Sequence, residues 1–205
     1  MSAEDSSVKI KIEPASPEMA TQVPGEDVAS TTEINKTTDQ AAPKKEVEIP
    51  VKVGVTSIIQ NKEGKFLCSI RKGSHGAGTW QFPGGSMKFG ETLLGCAERE
   101  VLEETGLEVQ ALGIVAYTSD CFLEENKHYL TPFAKCIMKN PDQEPQVMEP
   151  DKCVEWTWKS WDELVAINDA AAAGTATNAL FLPLVNLIKE TSGLGLEEFM
   201  KQKGF

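Results

Sequence analysis

GSMKFGETLLGCAEREVLEETGL, from Gly85 to Leu107, opens as a glycine-bearing loop and becomes a segment with helical periodicity. Four glutamates, Glu98, Glu100, Glu103 and Glu104, fall within seven residues of it. Like charges three or four positions apart destabilise a helix, so their crowding needs a cause. At about 100° per residue, Glu100, Glu103 and Glu104 share one face. Leu94, Ala97 and Val101 form an adjacent apolar stripe that suits packing on a sheet, and Glu91 and Glu98 point away from the three. Carboxylates held together at the border of a core repel one another unless a cation compensates, and hard oxygen ligands suit Mg²⁺ or Mn²⁺. The loop before the helix offers backbone amides, which attract phosphate oxygens. The ordinary alternative is a solvated acidic face with i, i+4 partners.

Outward from this helix, the pattern predicts an α+β fold. VKVGVTSIIQ (Val51 to Gln60) and the run from Lys65 to Arg71 alternate around turn chemistry at Asn61 to Gly64, which predicts a β-hairpin. The helix starts near Glu91 and stops at Gly106, a residue suited to a left-handed cap. Strands are expected at about Val109 to Thr118, Tyr129 to Met138 and Cys153 to Trp158, with a second helix through Leu180 to Glu190 that tolerates Pro183 only in its first turn. AINDAAAAGTATNA, Ala166 to Ala179, reads as a flexible small-residue insertion. The sum is a mixed β-sheet flanked by helices, in the range of an α/β/α sandwich.

The folded domain is expected to span residues 49–205. Residues 1–48 contain no aromatic side chain and are rich in Ser, Thr, Pro and acids, so a disordered tail is expected there. A formal net charge of −11 argues against coating a nucleic-acid polymer. Five scattered cysteines form no C-x-x-C pair, which predicts free thiols and no structural zinc. No apolar run is long enough for a signal peptide or a membrane span, so a soluble, cytoplasmic protein is expected, with no membrane partner.

The spacing Gly85, five residues, Glu91, seven residues, then Arg99-Glu100-Val101-Leu102-Glu103-Glu104-Thr105-Gly106-Leu107 matches the signature G-x5-E-x7-R-E-U-x-E-E-x-G-U, where U is aliphatic, at every fixed position. On this string the chain resembles a Nudix hydrolase. RKGSHGAGTWQFPGG, HYLT, MEPDKCVEWTWKSWDEL and LFLPL extend the resemblance, over most of residues 51–190, to the MutT-like subgroup of nucleotide triphosphate diphosphatases and their plant relatives.

The resemblance implies a Mg²⁺-dependent pyrophosphohydrolase (Mn²⁺ serving in its place) that cuts nucleoside triphosphates, oxidised or modified purine nucleotides among them, to monophosphate and pyrophosphate. It implies Glu100 and Glu104 as metal ligands, Glu103 as a further ligand or the water-activating base, Arg99 as the residue that holds the glutamates, Glu91 as a structural carboxylate, and Gly84 as a backbone carbonyl ligand. Arg71 falls where relatives bind phosphate. Gln81, Phe82, Thr131, Phe181 and Leu184 fall where the subgroup surrounds the base, although plain core packing is the alternative for Phe82, Phe181 and Leu184. Trp156, Trp158 and Trp161 read as packing residues, and His75 and His128 as ordinary loop and strand residues. Two departures stand out. Ser86 and Lys88 replace the usual histidine and acid of GGHLEFGE, and Leu182 replaces a stacking tryptophan of plant LFWPL. An isoprenyl diphosphate as substrate, or a non-catalytic Nudix-fold binding module, are the competing functions. A homodimer is the subgroup's expectation.

In the tail, IKIEPASP (Ile10 to Pro17) resembles a phosphorylation-dependent SUMO attachment site, with Lys11 as acceptor and Ser16 as phosphosite, which implies some nuclear residence.

Overall fold

Val51–Ile59 (β1) has apolar residues on both faces because both faces are covered. Val55 and Ile59 sink into one core with Cys96, Ala97 and Val101, whereas Ile58 joins a second core with Phe66 and Phe133. The computed structural model describes residues 49–191 and 193–205. The proposed tail boundary at residue 48 and the Lys11/Ser16 motif therefore lie outside the described residues.

Two sheets build the domain. In the four-stranded sheet, β1 lies between Gly84–Ser86 (β4) and Lys127–Met138 (β6), and β6 pairs with Val109–Phe122 (β5) at the edge. β1 and β6 run parallel, while β1–β4 and β5–β6 are antiparallel, so the sheet is mixed as expected. The three-stranded sheet places Phe66–Arg71 (β2) between Trp80–Gln81 (β3) and Cys153–Lys159 (β7).

The expected β1–β2 hairpin is not formed. The Asn61 turn exists, with Asn61 N–H donating to the Lys65 carbonyl at 3.0 Å, and one bridge joins Gln60 to Phe66. Beyond that the strands part into different sheets, because β4 and β6 already occupy both hydrogen-bonding edges of β1.

The helix Leu93–Thr105 (α1) is capped by the Thr92 hydroxyl, which accepts from Gly95 N–H at 3.0 Å. It ends at Gly106, whose φ of 70° lets its N–H reach the Leu102 carbonyl. A methyl group there would meet Met148 Sδ at 3.5 Å, an ordinary contact, so the cost of Gly106→Ala comes from the backbone. The expected loss is roughly 1–2 kcal/mol, read as a lower denaturant midpoint with an unchanged slope.

Trp161–Ala172 (α2) corrects the reading of an insertion for Ala166 to Ala172, while residues 173–179 are turn, bend and irregular chain. Its first turn carries a full capping box between Ser160 and Glu163, Leu164 is fully buried, and alanine is the best helix former. Leu182–Glu190 (α3) and Leu196–Gln202 (α4) complete the second core with Leu184, Leu187, Leu196 and Met200. Trp156 and Trp158 pack against the first core and Trp161 against the second, as structural residues. All five cysteines are free. Among the described residues, no helix is long and apolar enough to cross a membrane.

Candidate functional site

The apolar stripe of α1 comes out as expected. Ala97 and Val101 are fully buried, and this orients the opposite edge of the helix toward the β4 loop. Glu100 and Glu104 are buried, at 5% and 4% exposure, while Glu103 is exposed. Together with Gly84, Gly85, Lys88, Arg99 and Lys152 they line a cleft of about 490 Å³.

Arg99 organises this cleft. Its Nε donates to Glu91 Oε1 at 2.5 Å and its Nη2 to Glu91 Oε2 at 2.9 Å, a bidentate pair. Its Nη1 donates to Glu100 at 2.6 Å and to Glu103 at 2.9 Å. Hydrogen bonding from Arg99, with a second bond from Lys88 N–H, holds the Glu91 carboxyl down at about 2. The same bonds, Glu91's foremost, raise the Arg99 guanidinium above its ordinary value. Glu91 precedes the helix, which begins at Leu93, so it is joined to the constellation and does not face away from it. Desolvation pushes Glu103 up, but Arg99 and Lys88 more than offset this, and its pKa is lowered. Lys88, the first departure from the usual loop, lies 3.4 Å from Glu103 at the rim of the cleft.

Glu104 stands apart. Desolvation pushes its carboxyl up to about 7, a backbone hydrogen bond from Gly84 N–H at 3.0 Å opposes this, and the nearby Glu100 adds to the rise. The three carboxylates line one cleft but are not drawn to a common point. Among the described residues, no three His, Cys, Asp or Glu side chains are placed to enclose an ion by themselves. The expected convergence is corrected to this extent: Arg99 holds Glu100 and Glu103, and the Gly84 amide holds Glu104. The donor set nevertheless fits Mg²⁺, which takes one or two carboxylates and completes its shell with water and phosphate oxygens. A buried carboxyl whose ionisation is suppressed by desolvation and by a like charge is a group that a cation would relieve.

A second cavity of about 130 Å³ adjoins the cleft and shares Arg71, Gln81, Gly84, Gly85 and Ser86 with it. All six residues expected around substrate, Arg71, Gln81, Phe82, Thr131, Phe181 and Leu184, line it. Arg71 stacks on Phe181 at 4.2 Å from the ring centroid, its Nε donates to the His75 carbonyl at 3.0 Å, and its Nη1 donates to Gln81 Oε1. Thr131 donates to the buried Asp120, which also accepts from Thr118 and Asn186 and so carries no unmet demand. Phe82 doubles as core, packing on Phe66 at 5.9 Å.

Three ring-bearing residues of this cavity have no substrate role in the sequence reading: His75, Phe122 and Tyr129. Their rings form a cluster with Phe181, at 4.5 Å for His75–Phe122 and 5.4 Å for Phe122–Phe181. The HYLT match touched Tyr129, but nothing local marks His75 or Phe122. Leu182, the second departure, is not part of the wall. His128 pairs with Ser119 at 2.8 Å on exposed strand surface, consistent with an ordinary role.

A buried glutamate helix beneath a loop of glycines, in a mixed α+β domain, defines the class of Nudix hydrolases. The model of the NUDIX domain matches residues 50–183, and the chain belongs to that family. It is similar to oxidized purine nucleoside triphosphate hydrolase from Danio rerio, 40% identical over 58 residues, which cover 28% of this chain and 37% of that protein. It is also similar to Nudix hydrolase 10 of Arabidopsis thaliana, 39% identical over 69 residues, covering 33% of this chain and 22% of that one. The chain thus spans well under half the length of these relatives. Among solved structures, a MutT NUDIX hydrolase from Burkholderia pseudomallei matches with a TM-score of 0.51 at 25% identity, covering 55% of this chain and 85% of its own. The MutT protein from Methanosarcina mazei Go1 matches in fold, with a TM-score of 0.59 at 20% identity over 72% of this chain and 96% of its own.

Proposed function

We propose that this protein is a Mg²⁺-dependent pyrophosphohydrolase that converts a nucleoside triphosphate, an oxidised or otherwise modified purine nucleotide foremost, to the monophosphate and pyrophosphate. The observation that carries the reading is the common wall between an aromatic cavity and a cleft that brings Glu100, Glu103 and Glu104 together with Arg71, Lys72, Lys88, Arg99 and Lys152. A substrate with a planar base at one end and a polyphosphate at the other spans such a pair, with Arg71 and Gln81 at the junction. The name of the Danio rerio relative, an oxidized purine nucleoside triphosphate hydrolase, supports the substrate class.

In this reading Glu100, Glu104 and the Gly84 carbonyl hold the ion, with Glu103 as a further ligand or as the base. A bound Mg²⁺ or Mn²⁺ supplies neutralisation of phosphate charge and a lowered pKa for water. Arg99 keeps Glu100 and Glu103 oriented through its 2.6 and 2.9 Å bonds, so that little reorganisation is needed on binding. Arg71 is half-sequestered by Gln81 and Phe181, and burial lowers its pKa from the ordinary arginine value. An incoming phosphate competes for its donors with better charge complementarity than the neutral amide of Gln81.

The test follows the products of hydrolysis by the purified full-length protein, with Mg²⁺ and with a chelator: monophosphate and pyrophosphate from triphosphates, monophosphate and orthophosphate from diphosphates. The panel holds ordinary and oxidised nucleoside triphosphates, dinucleoside polyphosphates and geranyl diphosphate. Chelator-sensitive release of pyrophosphate from one or a few triphosphates is the expected result. Turnover of geranyl diphosphate alone, or silence from a folded protein, overturns the reading.

A further inference from the structure

The aromatic cavity contains one side-chain arrangement that packing alone does not explain. His75 sits in the glycine-rich loop between β2 and β3, and its ring is stacked with Tyr129 at 5.7 Å and meets Phe181 edge-on at 5.3 Å. Its Nδ1 lies 2.8 and 2.9 Å from the two Glu125 oxygens. Glu125 belongs to the short 3₁₀ turn Leu123–Glu125 at the tip of the β5–β6 hairpin, and it is held in turn by Lys127 at 2.6 Å. Hydrogen bonds from Lys127 and then His75 lower the Glu125 carboxyl below its usual range, so it is an anion at neutral pH.

An ionised carboxylate can only accept. Nδ1 must therefore carry a proton, and whenever that is the ring's only proton Nε2 is an acceptor. Nε2 makes no hydrogen bond to any described residue. The tautomer of a wall residue is thus imposed from outside the cavity, in the way that a second ring partner fixes a histidine's remaining nitrogen. Of the neighbouring rings, Phe122 and Phe181 offer only faces and edges, and Tyr129 adds a hydroxyl that both donates and accepts, so among these rings only His75 has a side-chain nitrogen that can accept without also donating. The loop itself is close-fitted here: a Cβ on Gly76 would lie 2.5 Å from the Phe181 ring, and the His75 carbonyl fixes Arg71. His75 is consequently tied both to the aromatic cavity and to the arginine at the junction with the glutamate-bearing cleft.

We propose that His75, oriented by Glu125, is a specificity-determining residue of this cavity, accepting at Nε2 a hydrogen bond from a ring N–H or exocyclic amino group of a planar base stacked among Phe122, Tyr129 and Phe181. The inference rests on the reading of the cavity as a base site, but it makes a separate claim about which bases bind. A base that presents a donor to Nε2 gains a bond, and one that presents a carbonyl leaves two acceptors facing each other. Discrimination of this kind arises because a buried polar group left unpaired is costly.

The test is calorimetric titration of the full-length protein, in Mg²⁺, with the α,β-imido analogues of ATP, GTP, CTP, UTP and 8-oxo-dGTP, alongside hydrolysis of the parent triphosphates. Wild-type protein is expected to prefer one or two bases. His75→Phe, which keeps an aromatic ring in the wall, is expected to reduce that preference by about tenfold through affinity, and through KM with little change in kcat. Should His75→Phe not fold, Glu125→Gln decides, since the ring stays but its tautomer is no longer dictated; the preference is expected to narrow. An unchanged ranking and affinity in the folded variant overturns the inference, as does base-blind binding by the wild type. Base-selective binding that His75→Phe removes, without any hydrolysis of the parents, leaves the inference standing and overturns the enzymatic reading. Hydrolysis with base-blind binding does the reverse.

Discussion

Glutamine at position 104 is expected to cost the enzyme most of its turnover while making the metal-free protein more stable at alkaline pH. Glu104 is 4% exposed, and desolvation raises its carboxyl from 4.5 to about 7 in the folded protein. Between those values the native state holds a proton that the unfolded chain has lost, so metal-free stability falls as pH rises through this window. Below 4.5 both states are protonated and the penalty is absent; above 7 it is fully present. A shift of this size corresponds to about 3 kcal/mol. Glu104→Gln keeps the shape and an oxygen for Gly84 N–H, but it has no charge to desolvate. Denaturant unfolding in chelator should show wild-type stability declining from pH 5 toward pH 8, and the variant lacking most of that decline. In Mg²⁺ the order is expected to reverse, because the ion binds the wild-type carboxylate and hence the native state. Activity is expected to drop on the order of 10²–10⁴-fold. Near-normal turnover would remove Glu104 from the site, and a variant less stable than wild type at pH 8 in chelator would contradict the burial argument.

The acidic half of the site was legible because its information is local. Glu100, Glu103 and Glu104 lie on a single helix, their spacing alone places them on one edge, and Gly106 marks where that helix stops. What could not be read was how their charges are satisfied. Arg99 reaches Glu91 across the loop before α1, and the Gly84 amide that meets Glu104 comes from another strand. The longer strands were also legible from alternation, but the short β3 and β4 in the glycine-rich loop and the strand partners were not. The alternation of Val51–Ile59 marks a strand; it does not state that both faces are buried or that β4 and β6 hold its two edges and exclude β2. The Ala166–Ala179 segment failed differently. Small residues were read as looseness, although Ser160 and Glu163 form a capping box and Leu164 anchors the turn that follows.

The aromatic cavity lies at the other extreme. His75, Phe122, Tyr129 and Phe181 come from a loop, two strands and the start of a helix, more than a hundred positions from first to last. No periodicity links them, and His75 in isolation is an ordinary polar-loop histidine. Only the closure of the β2–β3 loop onto the β5–β6 hairpin tip brings its Nδ1 against Glu125. Family likeness assigned roles to Arg71, Gln81 and Phe181, whereas His75 lies inside the matching stretch RKGSHGAGTWQFPGG without a role that the stretch announces.

Two adjacent glycines provide the second large effect, because the space around each is limited by a different kind of atom. A Cβ on Gly85 would lie 2.4 Å from the Glu100 carboxylate carbon and Oε2, the far end of a flexible side chain. A Cβ on Gly84 would lie 2.2 Å from the Val55 carbonyl oxygen and 2.9 Å from Thr56 Cα, which are β1 backbone and cannot swing away. Gly84→Ala is therefore expected to destabilise the fold by roughly 1–3 kcal/mol through forced displacement of β4. Gly85→Ala can fold by turning Glu100 aside, at a cost of about 1 kcal/mol. The displaced carboxylate leaves Arg99 Nη1, now 2.6 Å away, and the cleft. A misplacement on the order of 1 Å at a reacting centre can cost about 10²-fold in rate, and that is the expected loss of activity. The cycle with Glu100→Ala separates this cause from any other. Once the side chain is gone, Gly85→Ala has nothing left to displace, so its effect in that background is expected to vanish. A second hundredfold loss on top of Glu100→Ala would mean that the glycine serves the site through its own backbone and not through the space it leaves for Glu100.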